Sequence, residues 1–151
     1  MSGLGQQILT ANNNKVDAVW SENDGMAGGV VAALAAQGLA GKVPVSGQDG
    51  DLAALNRVAL GTQTVDVWKD ARLLGDAAGK AAVQLCASPD VSKVSGTAPF
   101  KSPGGNTITS ILLQPQPITK DNLNVVVDAG WIDKATLCKD VQAASAPAAC
   151  K

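Results

Sequence analysis

The 151-residue sequence contains no histidine. That absence removes the commonest general base, the usual partner of a nucleophilic serine or cysteine, and the commonest metal ligand. Clusters of basic charge are missing too. Twelve Lys plus Arg stand against thirteen Asp plus Glu, giving a net charge of −1 with no basic run, so nucleic acid and anionic membrane surfaces are poor partners. The longest apolar run, "VVAALAA" at 30–36, falls far short of the ~20 residues that cross a bilayer. The opening "MSGLGQQILT" lacks the basic n-region and apolar centre of a signal peptide. If the protein is exported, its signal is expected outside this chain.

Cysteine is sparse. Cys86, Cys138 and Cys150 have neither CxxC spacing nor histidine neighbours, which argues against a zinc site, and no metal or cofactor is expected. A bridge from Cys138 to Cys150 would close a short C-terminal loop and stabilise by about 3 kcal/mol in the chain-entropy model. It would suit an exported protein. The other reading is three inert thiols.

What is present suits one globular domain: 46% of residues are hydrophobic, enough for a sizeable core at this length. "QQILTANNN" reads as a helix ending at the Asn run, and "KVDAVW" at 15–20 as a strand. The Ala-rich "GMAGGVVAALAAQG" at 25–38 reads as a helix packed closely on a sheet. A strand at 42–47, a helix at 51–61, a strand at 62–68 and a helix at 71–86 follow. Alternating strands and helices predict an α/β fold with a parallel βαβ sheet. Beyond Ala87 the texture becomes irregular, with "SPGGN" as a turn, an extended segment at 108–119, two short helices and a loose tail, "AASAPAAC".

One short pattern recurs. "SENDG" at 21–25 and "SGQDG" at 46–50 both read Ser-x-x-Asp-Gly, 25 residues apart. That offset is about one βα unit, so both turns should lie side by side at the carboxyl ends of adjacent parallel strands, where open α/β sheets bind ligands. An acid just before a helix is by default an N-cap. Asp51 and Asp24 stand where caps belong, which leaves Asp49 and Asn23 to face a cleft. An amide and a carboxylate together offer donors and acceptors suited to a neutral polyhydroxylated ligand. Lys69 closes the third strand at the same edge, although a solvated surface lysine is an equally good reading of its position.

Other constellations are weaker. "GDAAGK" at 75–80 has too few residues between its glycines for a phosphate loop and lacks the following Ser or Thr. "DGMAGG" misses the dinucleotide GxGxxG spacing. Glu22, Asp24, Asp49 and Asp51 could form a glycosidase pair, but nothing marks one as an acid of raised pKa, and the chain is read as a non-enzyme. Trp20, Trp68 and Trp131 could stack on a sugar, yet strand tryptophans more often belong to the core.

The run "TANNNKVDAVWSENDGMAGGVVAALAAQGLAGKVPVSGQDGDLAALNRVALGTQTVDVWKD" at 10–70 resembles the C-terminal half of D-xylose-binding proteins, and "PGGNTITSILLQPQPITKDNLNVVVDAGWI" at 103–132 continues the likeness more weakly. These are type I periplasmic sugar-binding proteins that feed bacterial ABC importers. The resemblance implies a sugar held between two lobes by hydrogen bonds, with Asn23, Asp49 and Lys69 as ligand-binding residues. They are the same three residues picked out above. It implies D-xylose or a similar pentose as ligand, an ABC permease as partner, and a periplasmic or extracellular, membrane-associated location.

It also implies an incomplete type I fold, because the N-terminal half has no counterpart in this chain. Residues of about 1–66 and 110–135 would lie in the C-terminal lobe, about 69–108 would contribute to the other lobe, and 136–151 would form a tail. Trp20 departs from the small residue the family usually has there. The competing function is a sugar-sensing module of the same fold that signals to a sensor kinase or a DNA-binding domain. A third reading is a piece inactive by itself, with apolar surface left exposed where the absent half should pack.

Overall fold

The computed structural model describes residues 2–151, which divide into two compact units: one runs through residue 69 and resumes at 116–151, and the other is 70–115. The first unit carries α1 (Ser2–Ala11), α2 (Asp24–Ala36), β1 (Ser46–Asp49), α3 (Leu52–Leu60) and β2 (Val65–Trp68). The second holds α4 (Ala71–Ala87), β3 (Ala98–Lys101) and β4 (Thr107–Ser110). The chain then returns to the first unit with β5 (Gln116–Ile118), α5 (Asn124–Asp128) and α6 (Lys134–Leu137).

β1 and β2 pair in parallel, Ser46 opposite Val65 and Asp49 opposite Trp68. Antiparallel β5 closes one edge, with Ile118 opposite Asp66. The strand expected at 15–20 is reduced to a single parallel bridge, Val19 to Val45. Pro44 has no N–H with which to extend the ladder on one side of the bridge, and on the other the Ser21 amide goes to the Ser46 hydroxyl instead of a backbone carbonyl. The parallel expectation therefore holds for the βα units, and β5 makes the sheet mixed.

Two apolar clusters flank the helical side of this sheet. Leu9, Val31, Leu34, Val43 and Val45 join α1 and α2 to the first strands, and Leu55, Val58, Trp68, Ile118, Val126 and Leu137 join α3 to β2, β5 and the C-terminal helices. The period-2 alternation of strands accounts for the side chosen: Val45, Gly47, Asp66 and Trp68 point inward and are buried, while Ser46, Gln48, Val65 and Val67 are only half-buried. The opposite side is open, and Trp20 there is 88% exposed.

The C-terminal residues, expected to be loose, pack instead. Cys138 and Cys150 form a disulfide, and both lie against the second cluster with Val141 and Ala149. Cys86 is an exposed free thiol. In the second unit α4 buries no residue, and β3 and β4 pair as an antiparallel hairpin across the 102–106 turn, almost wholly exposed. Its Ser95 is tied to α4 through Gln84 Oε1, which accepts from the Ser95 amide at 2.9 Å and hydroxyl at 3.0 Å.

Candidate functional site

The two Ser-x-x-Asp-Gly turns are joined at their first residues. Ser46 Oγ accepts from the Ser21 amide at 2.9 Å and donates to the Ser21 carbonyl at 3.2 Å, and Ser21 Oγ donates to the Asn23 carbonyl. The recurrence at 25 residues thus places equivalent serines face to face across neighbouring strands. Gln48 Nε2 adds a bond to the Glu22 carbonyl at 3.3 Å.

The capping roles expected from sequence are reversed in the first turn. Asn23 is the N-cap of α2: its Oδ1 accepts from the Met26 amide at 2.8 Å, with its backbone extended at φ −153°. Asp24 enters the helix and is 2% exposed. Its Oδ2 accepts from the amides of Gly50 (3.1 Å) and Asp51 (2.9 Å), and its Oδ1 from Gln63 Nε2 (3.2 Å). Burial rewards a carboxylate with several amide donors, so Asp24 reaches across to the second turn and leaves local capping to the shorter-range Asn23 amide. Because Oδ1 is used by the cap, the Asn23 Nδ2 donors remain for another acceptor. Asp51 occupies the N-cap position of α3 but makes no side-chain cap bond.

The second turn is held in an unusual shape. Asp49 has φ +117° and Gly50 φ +86°; glycine takes this region freely, but a side-chain residue there costs energy that surrounding contacts must offset. Gly50 is fixed on every side. Its N–H is shared by Asp24 and by Asp66 Oδ1 (3.2 Å), and its carbonyl accepts from Trp131 Nε1 at 2.6 Å. A Cβ at Gly50 would strike the Trp68 ring, and one at Gly47 would collide with the Asp24 carboxylate and the Gln63 amide. The outcome is an Asp49 side chain turned outward, 44% exposed, with Oδ1 2.8 Å from Lys69 Nζ, itself 40% exposed.

Asp49 and Lys69 are therefore brought together, at the carboxyl ends of paired strands, and Asn23 caps α2 shortly after the Val19 bridge. The Asp24–Asp66–Gln63–Arg57 network beneath them escaped the sequence reading. Arg57 Nε donates to Gln63 Oε1 at 2.9 Å and its Nη2 to the Asp24 carbonyl at 3.0 Å. Burial lowers the guanidinium pKa, while Asp24, Asp66 and Asp51 oppose that effect. Burial first, and then the Asp24 carboxylate, push Asp66 up to about 8. The available signal was an acid at an inward position of "TVDVW", where strand alternation demands burial. A separate groove on the open side of the sheet is lined by Trp20, Ser21, Glu22, Ser46, Gln48 and Val67; Asn23, Asp49 and Lys69 do not line it.

Residues 5–89 match the periplasmic binding protein domain. The chain is 45% identical over 133 residues to the D-xylose-binding periplasmic protein of Escherichia coli and 43% identical to that of Haemophilus influenzae, alignments covering 87% of this chain and 39% of each relative. Among solved structures, a carbohydrate transporter solute-binding protein from Chloroflexus aurantiacus, in complex with D-glucose, superposes with a TM-score of 0.74 at 26% identity over 93% of this chain and 41% of that one. The chain thus spans well under half the length of the relatives it matches. With a domain match over more than half its residues and a βα sheet of the same architecture, the chain belongs to the periplasmic binding protein domain family.

Proposed function

We propose that this chain is part of a solute-binding protein that holds a neutral monosaccharide, D-xylose or a similar pentose, between two lobes and delivers it to an ABC importer on the outer side of the membrane. The observation that carries this reading is the half-exposed Asp49–Lys69 pair at the carboxyl ends of β1 and β2. Asp49 accepts from sugar hydroxyls, Lys69 donates to the ring oxygen or a neighbouring hydroxyl, and Asn23 donates through Nδ2. The pair is neutral overall, which matches an uncharged ligand. Binding needs no bond chemistry and no cofactor. The curated relatives support the sugar class by name, both being D-xylose-binding periplasmic proteins.

A sugar enclosed between lobes needs groups beyond these 151 residues, and lobe closure is what a permease would read. On this account unit 70–115 contributes to the opposite lobe, and the open sheet side around Trp20 packs against the remainder of the protein. The test is a titration of xylose, ribose, glucose and arabinose, followed by tryptophan fluorescence, into this chain alone and into the full-length protein. Negligible binding by the chain and xylose-selective binding by the full-length protein are expected. Micromolar binding by the chain alone would overturn the two-lobe reading.

A further inference from the structure

The buried carboxyl groups of Asp24 and Asp66 pose a problem of their own. Asp66 is 0% exposed, yet its Oδ2 lacks a hydrogen-bond partner if it is counted as a carboxylate. An unpartnered charged oxygen in the interior is costly. The Gly50 amide bridges the two carboxyl groups from a single N–H, 3.1 Å from Asp24 Oδ2 and 3.2 Å from Asp66 Oδ1, which makes them immediate neighbours. A proton on Asp66 Oδ2, donated to Asp24, satisfies the orphan oxygen and removes a like-charge repulsion in one step.

The surroundings favour that arrangement. Asp24 on α2, Asp51 at the start of α3 and Arg57 within α3 are the charged groups that act on Asp66. Gln63 is neutral, and the strand neighbours opposite Asp66 are Gly47 and Ile118. The Arg57 Nε and Nη2 bonds go to Gln63 and to the Asp24 backbone.

We infer that Asp66, as a neutral carboxylic acid donating to Asp24, is a positioning residue for Asp49: the singly protonated pair pins the Gly50 and Asp51 amides and so holds Asp49 in its left-handed conformation beside Lys69. Breaking the Asp66 O–H bond, with the proton passing to solvent, leaves two carboxylates in one buried site and loosens the turn. The consequence for sugar affinity rests on the reading of Asp49 as a ligand contact; the consequence for the turn does not.

The direction with pH follows from linkage. Asp66 titrates at about 8 in the folded chain against 3.8 as its ordinary value, so the folded state keeps a proton that the unfolded state has lost. Stability is fully present below pH 4, falls as pH rises from about 4 to 8, and levels off above that. With no histidine in the chain, pH 5.5–8 holds few competing groups, and a Cys86→Ser background removes the free thiol.

The experiment compares thermal unfolding of this chain and of Asp66→Asn between pH 5.5 and 8.5. Asn reproduces the protonated acid, accepting from Gly50 and donating to Asp24. The unmodified chain is expected to lose about 5–10 °C across that range, and Asp66→Asn to stay nearly flat. Parallel curves overturn the proposal. Should the variant fail to fold, the Asp66 carboxyl carbon is titrated by NMR in the unmodified chain: a midpoint near 8 supports the proposal, and one below 5 overturns it. Amide protection of Gly50 and Asp51 should fall about tenfold from pH 7 to 9 after correction for intrinsic exchange; unchanged protection overturns the positioning role. None of these readouts uses sugar, so a failure of the sugar-binding reading would leave them intact and distinguishable.

Discussion

The turns at 21–25 and 46–50 share Ser, Asp and Gly at the same places and lie side by side through Ser21 and Ser46, yet their aspartates do opposite work. Asp24 is buried and anchors the partner turn through the amides of Gly50 and Asp51, whereas Asp49 stands half-exposed against Lys69. Backbone conformation separates them. Asp24 enters a helix at once and points inward, while Asp49 at φ +117° and Gly50 at φ +86° swing the second side chain out toward solvent. One turn supplies rigidity and the other presents a half-exposed ion pair. The strain in the second is tolerated because the first holds it.

That division can be broken most severely at Asp24. Replacing it with Ala leaves the Gly50, Asp51 and Gln63 donors without their shared acceptor, and chemical denaturation should record a loss of about 3 kcal/mol. Gly47→Ala attacks the same contact from the strand side, forcing a methyl into the Asp24–Gln63 cradle, with an expected loss of about 2 kcal/mol. At Asp49 the sign should reverse. Asp49→Gly relieves a left-handed side-chain residue and raises stability by about 1 kcal/mol, while sugar binding by the full-length protein is lost. A destabilised Asp49→Gly chain would show that the ion pair outweighs the backbone strain.

The smallest effect distinguishes the two roles of Asn23. Asn23→Ser keeps an acceptor for the Met26 amide, so stability should stay within about 0.5 kcal/mol, but it removes the Nδ2 donors and should weaken sugar binding. Asn23→Ala loses both, costing about 1 kcal/mol of stability as well. Equal sugar affinity in Asn23→Ser and the unmodified protein would confine Asn23 to capping.

Much of the fold was legible because hydrophobic period and glycine stops mark it: α2, α3 and α4 lie within a residue or two of their expected spans. The placement of Asp49 beside Lys69 was also within reach, since both close strands at one edge. What could not be read were the partners of acids across chain separations of 26 and 39 residues, Asp24 to Gly50 and to Gln63. Local rules give an acid at a helix start to capping, and only the packed structure shows that Asn23 meets that need and frees Asp24. The C-terminal tail escaped for a similar reason. Small residues such as those of "AASAPAAC" carry little periodic signal, and their order comes from the Cys138–Cys150 bridge and contacts with the core.

The second turn, and Asp49 in particular, is proposed to contact the sugar. Calorimetric titration of D-xylose into the full-length protein and into its Asp49→Ala variant tests this directly, with thermal unfolding of both as the control for folding. Affinity is expected to weaken by about 100-fold or more at nearly unchanged stability. Equal affinity in the two proteins would contradict it.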